Sequence, residues 1–178
     1  MEDILTLLRR DHEDISALFA ELERALGPKD LSVVDVRACF LRLKQSLISH
    51  LRAEEEAVYA RFRETDDGRM RALAGAAQHA EILAQLEGMS HDAPVDSAWR
   101  KRFELLRGEV RTHVESEETE LFPLVEATFG RNGRREMGAD LVALKLIVED
   151  LLIPETGGFR RAPRGARPDA EIDRHAEE

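Results

Sequence analysis

Little in this 178-residue chain could build a disulfide scaffold, a sandwich of short strands or a membrane span. Its single cysteine, Cys39, has no partner within the chain, so a fold held by internal disulfides is excluded. A lone thiol fits a reducing compartment, and Cys39 reads as a small core residue. Aromatic residues make up 5% of the chain, with one Trp and one Tyr. Proline and glycine gather near 27–28, 130–133 and 154–168 instead of punctuating the chain every ~8–12 residues, as a many-stranded fold requires. No stretch approaches the ~20 apolar residues that span a bilayer, and Met1-Glu2-Asp3 lacks the cationic start of a secretory signal. The expectation is a cytoplasmic protein with no membrane partner. Positive charge is also scarce: 26 Lys and Arg against 36 Asp and Glu leave a formal charge of −10. Phosphate binding draws its affinity mainly from clustered Lys and Arg, so no nucleic-acid partner is expected.

What remains is helix. The length suits one domain with a sizeable core, and the charged fraction of 35% fits a bundle with solvated outer faces. A first helix carries the seam Met1, Leu5, Leu8, His12, Ile15, Phe19, Leu22, Leu26, alternating steps of four and three. A second, capped by Ser32 with Asp35 in its first turn, repeats it through Val36, Phe40, Leu43, Leu47, His50, Glu54 and Ala57. A third reads as weaker and shorter, through Ala72, Ala76, His79, Leu83 and Leu86, ending before Gly88 and a loop from Ser90 to Asp96 that contains His91. A fourth restores the pattern with Trp99, Phe103, Leu106, Val110, His113, Glu117, Leu121 and Leu124. The prediction is an all-α, antiparallel up-down-up-down four-helix bundle with an additional C-terminal helix.

Six seam positions are polar: His12, His50, Glu54, His79, His113 and Glu117. Left unpaired, each would cost about 1–3 kcal/mol to bury, and more if ionised. They also repeat. His50-x-x-x-Glu54 and His113-x-x-x-Glu117 lie 63 residues apart in nearly identical segments, each preceded on the seam by a histidine, His12 or His79. The four-residue spacing puts an imidazole and a carboxylate on one helix face, in reach of one ion. With 23 glutamates in 178 residues, about one histidine in eight meets a glutamate four positions on by chance, so one copy is a weak signal. Two copies in matching register are a specific one. The economical reading is a dinuclear metal site inside the bundle; a metal-free His–Glu hydrogen-bond network is the alternative. Counting from the connections, His12 is level with His50 and Glu54 with His79, whereas His79 and His113 mismatch by roughly a turn or two. Glu55 and Glu118 are candidates for the outer shell. Tyr59 falls one residue off the seam and reads as packing, with a hydroxyl that reaches the site as the lesser alternative.

These residues resemble the hemerythrin-like, HHE cation-binding family. The likeness covers residues 1–129 and rests on Asp11-His12, His50 with Glu54-Glu55, Gln78-His79, and His113 with Glu117-Glu118 followed by Leu121-Phe122-Pro123. It implies a non-haem centre of two irons, with His12 and His50 on one ion, His79 and His113 on the other, and Glu54 and Glu117 bridging. Imidazole and carboxylate donors suit iron or manganese, and the lack of thiolates argues against an iron–sulfur cluster or structural zinc. Ions so held stay below six-coordinate, open to oxygen, nitric oxide, peroxide or water. Oxygen carriers of the family place another histidine on the third helix, four residues from the first; here those positions are Gly75 and Leu83. The second iron therefore lacks a ligand, which favours sensing, iron handling or a stress-related role over reversible oxygen carriage. A di-metal oxidase or peroxidase and a metal-free interaction module are the other readings.

Past residue 129, a helix over 134–153 carries Met137, Leu141, Leu144, Val148 and Leu151 on one stripe, which must pack on its own bundle or form a dimer; monomer and homodimer both remain open. From 154 to 178 the composition reads as a mobile tail that includes His175 and contributes nothing to the site.

Overall fold

The computed structural model describes residues 2–27, 32–66, 68–91 and 96–152. Met1, the tail from 154 and His175 lie outside the described residues. The predicted four-helix bundle is present, with a fifth helix laid against it. Helix α1 spans Ile4–Ala25 and is capped by Asp3, whose carboxylate accepts from the Leu5 amide. Helix α2 begins as Val33–Glu54, with the Ser32 hydroxyl accepting from the Asp35 amide. It runs unbroken through a π-helical turn, Glu55–Tyr59, and closes with Ala60–Arg63. Helix α3 is Arg69–His91. Helix α4 is Ser97–Ser116, capped by Asp96, and also continues through a π-helical turn, Glu117–Leu121, into Phe122–Thr128. Helix α5 is Arg131–Leu152.

The predicted seams are buried nearly throughout, and they enclose two apolar layers. One gathers Phe19, Leu22, Phe40, Leu43, Trp99 and Phe103. The other gathers Ile4, Leu8, Val58, Phe62, Phe122 and Met137. The six polar seam residues form a belt between them. Cys39 is buried in the first layer, away from that belt.

Three expectations need correction. Helix α3 is not short: its 23 residues pass through Gly88 to His91, which closes the helix instead of lying in a loop. A helical glycine costs about 1 kcal/mol relative to alanine, but tertiary contacts outweigh it. Met89 is buried and its carbonyl accepts from the Trp99 indole at 3.2 Å, while Lys44 donates to the Ser90 hydroxyl at 2.7 Å. Extending α3 to His91 takes up about one turn of the expected mismatch: His79 stands 12 residues from that end and His113 16 residues from Ser97, and their rings meet at 4.7 Å between centroids.

The seam of α4 also slips. After Glu117 and Leu121 the buried positions are Phe122 and Val125, with Leu124 only half-buried. In the π turn the Phe122 amide bonds to the Glu117 carbonyl, an i→i+5 step that inserts one extra residue and rotates the remainder of the helix.

Third, α5 begins at Arg131, so Gly133 lies inside its first turn. Arg134 fixes that turn, bonding Asp3 at 2.8 Å and the Phe129 carbonyl. The helix packs on its own chain, across α1 and α2. Gly138 permits this, since a Cβ there would come within 2.4 Å of the Glu2 carbonyl. Met137 and Leu141 are buried, but Leu151 is not on the packed face: it is 78% exposed.

Candidate metal centre

The alternating seam carries His12, His50, His79 and His113 inward from four helices, with Glu54 and Glu117 one turn beyond the second and fourth. All six are at most 5% exposed. The rings pair edge to face: His12 with His50 at 5.1 Å between centroids and 77°, His79 with His113 at 4.7 Å and 76°. Each carboxylate spans the two pairs. Glu117 Oε2 is 3.2 Å from His12 Nε2 and 3.4 Å from His113 Nε2. Glu54 Oε2 is 3.5 Å from His79 Nε2 and 3.9 Å from His50 Nε2.

The outer ring nitrogens are held from behind. His12 Nδ1 faces Glu118 at 2.8 Å, His50 Nδ1 faces Asp11 at 3.4 Å, His79 Nδ1 faces Glu55 at 3.2 Å and His113 Nδ1 faces Gln78 at 3.3 Å. Three of these acceptors are carboxylates, which require the proton on Nδ1 and leave Nε2 as a bare lone pair directed inward. Each holder is the chain neighbour of one ligand-type residue and supports another, so the helices lock one another's rings. Lys145 of α5 extends the set, donating to Asp11 Oδ1 at 2.6 Å.

Inside this ring lie polar atoms that nothing among the described residues satisfies. His12 Nε2, His50 Nε2, both oxygens of Glu54 and Glu117 Oε2 are buried without a hydrogen bond; His12 and Glu117 are close but misaligned. His79 Nε2 and His113 Nε2 face each other at 3.2 Å. Buried polar groups are otherwise almost always paired, and a hydrogen-bonded network would have used these atoms. Donors on one cation at about 2.1 Å stand about 3 Å apart, close to the spacings seen here. One ligand atom each from His50, Glu54, His113 and Glu117 lies within 4.8 Å of the others. The residues present therefore fit a cation.

Electrostatics agree. Burial disfavours the charged forms of His12 and His79, yet Glu117 and Glu118 around the first and Glu54 and Glu55 around the second raise both to about 9. Burial, with Glu117 beside it, pushes Glu54 up to about 8. Burial also opposes ionisation of Glu117, but His113, His12 and His50 hold its carboxyl well below the usual range. Burial brings His113 down to about 4 and lowers His50. Without a cation the site stays near neutrality only by retaining protons.

Tyr59 is the residue that sequence periodicity misplaces. The π turn after Glu54 rotates it inward; it is 1% exposed, stacks on His79 at 5.0 Å and donates to Glu117 Oε1 at 2.5 Å. Its counterpart Phe122 stacks on His12 at 5.8 Å and has no hydroxyl to offer. Gly75, one of the two positions four residues from His79, makes the room: a Cβ there would fall 2.4 Å from the Tyr59 hydroxyl. A Tyr59→Phe variant leaves Glu117 Oε1 without its donor and should lower the unfolding free energy by about 1–3 kcal/mol. Denaturant unfolding of metal-free protein checks this, and wild-type stability would mean the bond contributes nothing.

Residues 3–125 match the family model of the hemerythrin HHE cation-binding domain. A curated relative, a DNA nickase of Nostoc sp. (strain PCC 7120), is 25% identical over 152 residues, 84% of this chain and 41% of the relative. The chain thus spans about two-fifths of that protein's length. No solved structure matches the chain.

Proposed function

Since the chain belongs to the hemerythrin HHE cation-binding domain family, we propose that it holds two non-haem iron ions and uses them to sense or handle oxygen, nitric oxide or iron. The observation that carries this reading is the set of inward Nε2 and carboxylate atoms left without partners. In it, His12 and His50 hold one ion, His79 and His113 the other, and Glu54 and Glu117 bridge. Manganese satisfies the same donors. When bound, such a centre supplies Lewis acidity and one-electron chemistry toward small oxygen or nitrogen ligands.

The chain's own residues do the rest. Asp11, Glu55, Gln78 and Glu118 orient the imidazoles. Tyr59 keeps a proton on the Glu117 side of the centre, burial and Glu54 holding its phenol well above the ordinary value. The two apolar layers exclude water. Reversible oxygen carriage ranks second, because neither third-helix position four residues from His79, Gly75 or Leu83, is a histidine, and the Tyr59 ring occupies the space beside Gly75. The relative's DNA-nicking activity is not carried over: the chain matches a minor part of that protein, and a formal charge of −10 opposes phosphate binding. Among the described residues no helix is long and apolar enough to cross a membrane, and a cytoplasmic location remains part of the proposal.

Elemental analysis with an aerobic optical spectrum tests the reading. About two irons per chain and an absorption that bleaches on reduction are expected; protein that takes up no metal on reconstitution sinks it. Loading should also release protons. His12 and His79, raised to about 9, and Glu54, raised to about 8, hold protons at neutral pH that the cation must displace. Apparent affinity therefore climbs as pH rises toward about 9 and falls below it. A flat affinity between pH 6 and about 9 would contradict this.

A further inference from the structure

The sequence offers no sign of an organic ligand site, but the structure contains a cleft where one would lie. Helix α1 packs closely on α2, and α3 on α4, while α1 and α4 stand farther apart. Between them runs a cleft of about 520 Å³, within the range of small-molecule sites, roughly 300–1,000 Å³. Its floor is apolar: Ile15, Phe19 and Val110 are buried. Small side chains on α1, Ser16 and Ala20, keep it open.

The cleft has two unlike ends. At the outer end Arg107 is engaged twice, by Glu23 across the cleft at 2.8 Å and by Glu104 at 2.7 Å. At the inner end the lining reaches His12 and Val114. Between these ends, one helical turn inward from Arg107, stands Arg111, which forms no ion pair among the described residues. An apolar trough with an uncommitted guanidinium toward its inner end is complementary to a molecule with an apolar body and one anionic head.

We propose that this cleft binds a small organic anion, a medium-chain or aromatic carboxylate, with its body over Phe19 and Val110 and its head on Arg111, beside His12. The assignment does not depend on which metal, or whether any, the six inward residues hold. It would give the buried centre a second input, an organic molecule lying against one of the imidazoles.

Calorimetric titration of the full chain with octanoate tests it. Wild type should bind about one octanoate saturably. Ser16→Leu, which narrows the cleft from α1 and replaces an exposed serine by a better helix former, should bind at least about tenfold more weakly while melting no lower than wild type. Arg111→Gln should bind several-fold more weakly, and uncharged octanamide should bind wild type less well than octanoate. No saturable binding to wild type, or a Ser16→Leu variant that binds as wild type does, overturns the site. Arg111→Gln binding equal to wild type overturns its assignment to an anion.

Discussion

Replacing Glu54 by alanine should remove most of the metal that the proposed centre holds, from about two ions per chain to well below one. The run Glu54-Glu55-Glu56 makes this a graded experiment within three adjacent residues. Glu54 is fully buried, and its oxygens lie between the two histidine pairs. Glu55 is half-buried and holds His79 from behind. Glu56 is exposed. Losing an outer partner of a metal ligand typically weakens binding about 10–100-fold, so Glu55→Ala should fall in that range and Glu54→Ala beyond it, while Glu56→Ala keeps its full complement. The fold should survive. Burial, with Glu117 beside it, disfavours the charged form of Glu54, and without it His79 keeps Glu55 as a partner at 3.2 Å. Elemental analysis of the three variants reads the result directly. A Glu54→Ala protein with full metal and an unchanged spectrum would rule out the bridging role.

The second large effect is thermal. Stripping metal with a chelator should lower the melting temperature by about 8–16 °C for each ion lost. A ligand present at a thousand times its dissociation constant stabilises a fold by about 4 kcal/mol, and in a chain of this size each kcal/mol moves the midpoint by about 2–4 °C. The structural cause is the belt of six buried polar groups between two apolar layers, most of whose inner atoms find no hydrogen-bond partner among the described residues. A cation satisfies them together; protons do so only in part. Restoring metal should restore the midpoint. A metal-containing sample that melts identically with and without chelator would place its metal elsewhere on the protein.

How much of this was legible beforehand differs from element to element. The seams of α1, α2 and α4 could be read because burial follows a 3.6-residue period, and His12, His50, Glu54, His79, His113 and Glu117 stood out as polar interruptions of that period. The outer holders were partly visible: Glu55 and Glu118 were candidates, whereas Asp11 and Gln78 drew notice only as neighbours of histidines. Helix α3 was underestimated because its alanines and Gly75 weaken the apolar pattern and Gly88 reads as a stop. The contacts of Met89 and Ser90 that carry the helix onward come from other helices.

Local sequence by itself determined the all-α class, the two repeated hairpins and the six inward polar residues, because each of these is a periodicity along one helix. The rest was decided by tertiary structure. The π turns after Glu54 and Glu117 shift the register by one residue, and no periodic reading anticipates an inserted step. They bring Tyr59 to Glu117, into space that Gly75 leaves open from another helix. The side on which α5 packs, the Lys145–Asp11 contact and the cleft between α1 and α4 likewise depend on how far helices stand from one another. Those distances are set by side chains meeting across the bundle, and no single helix encodes them.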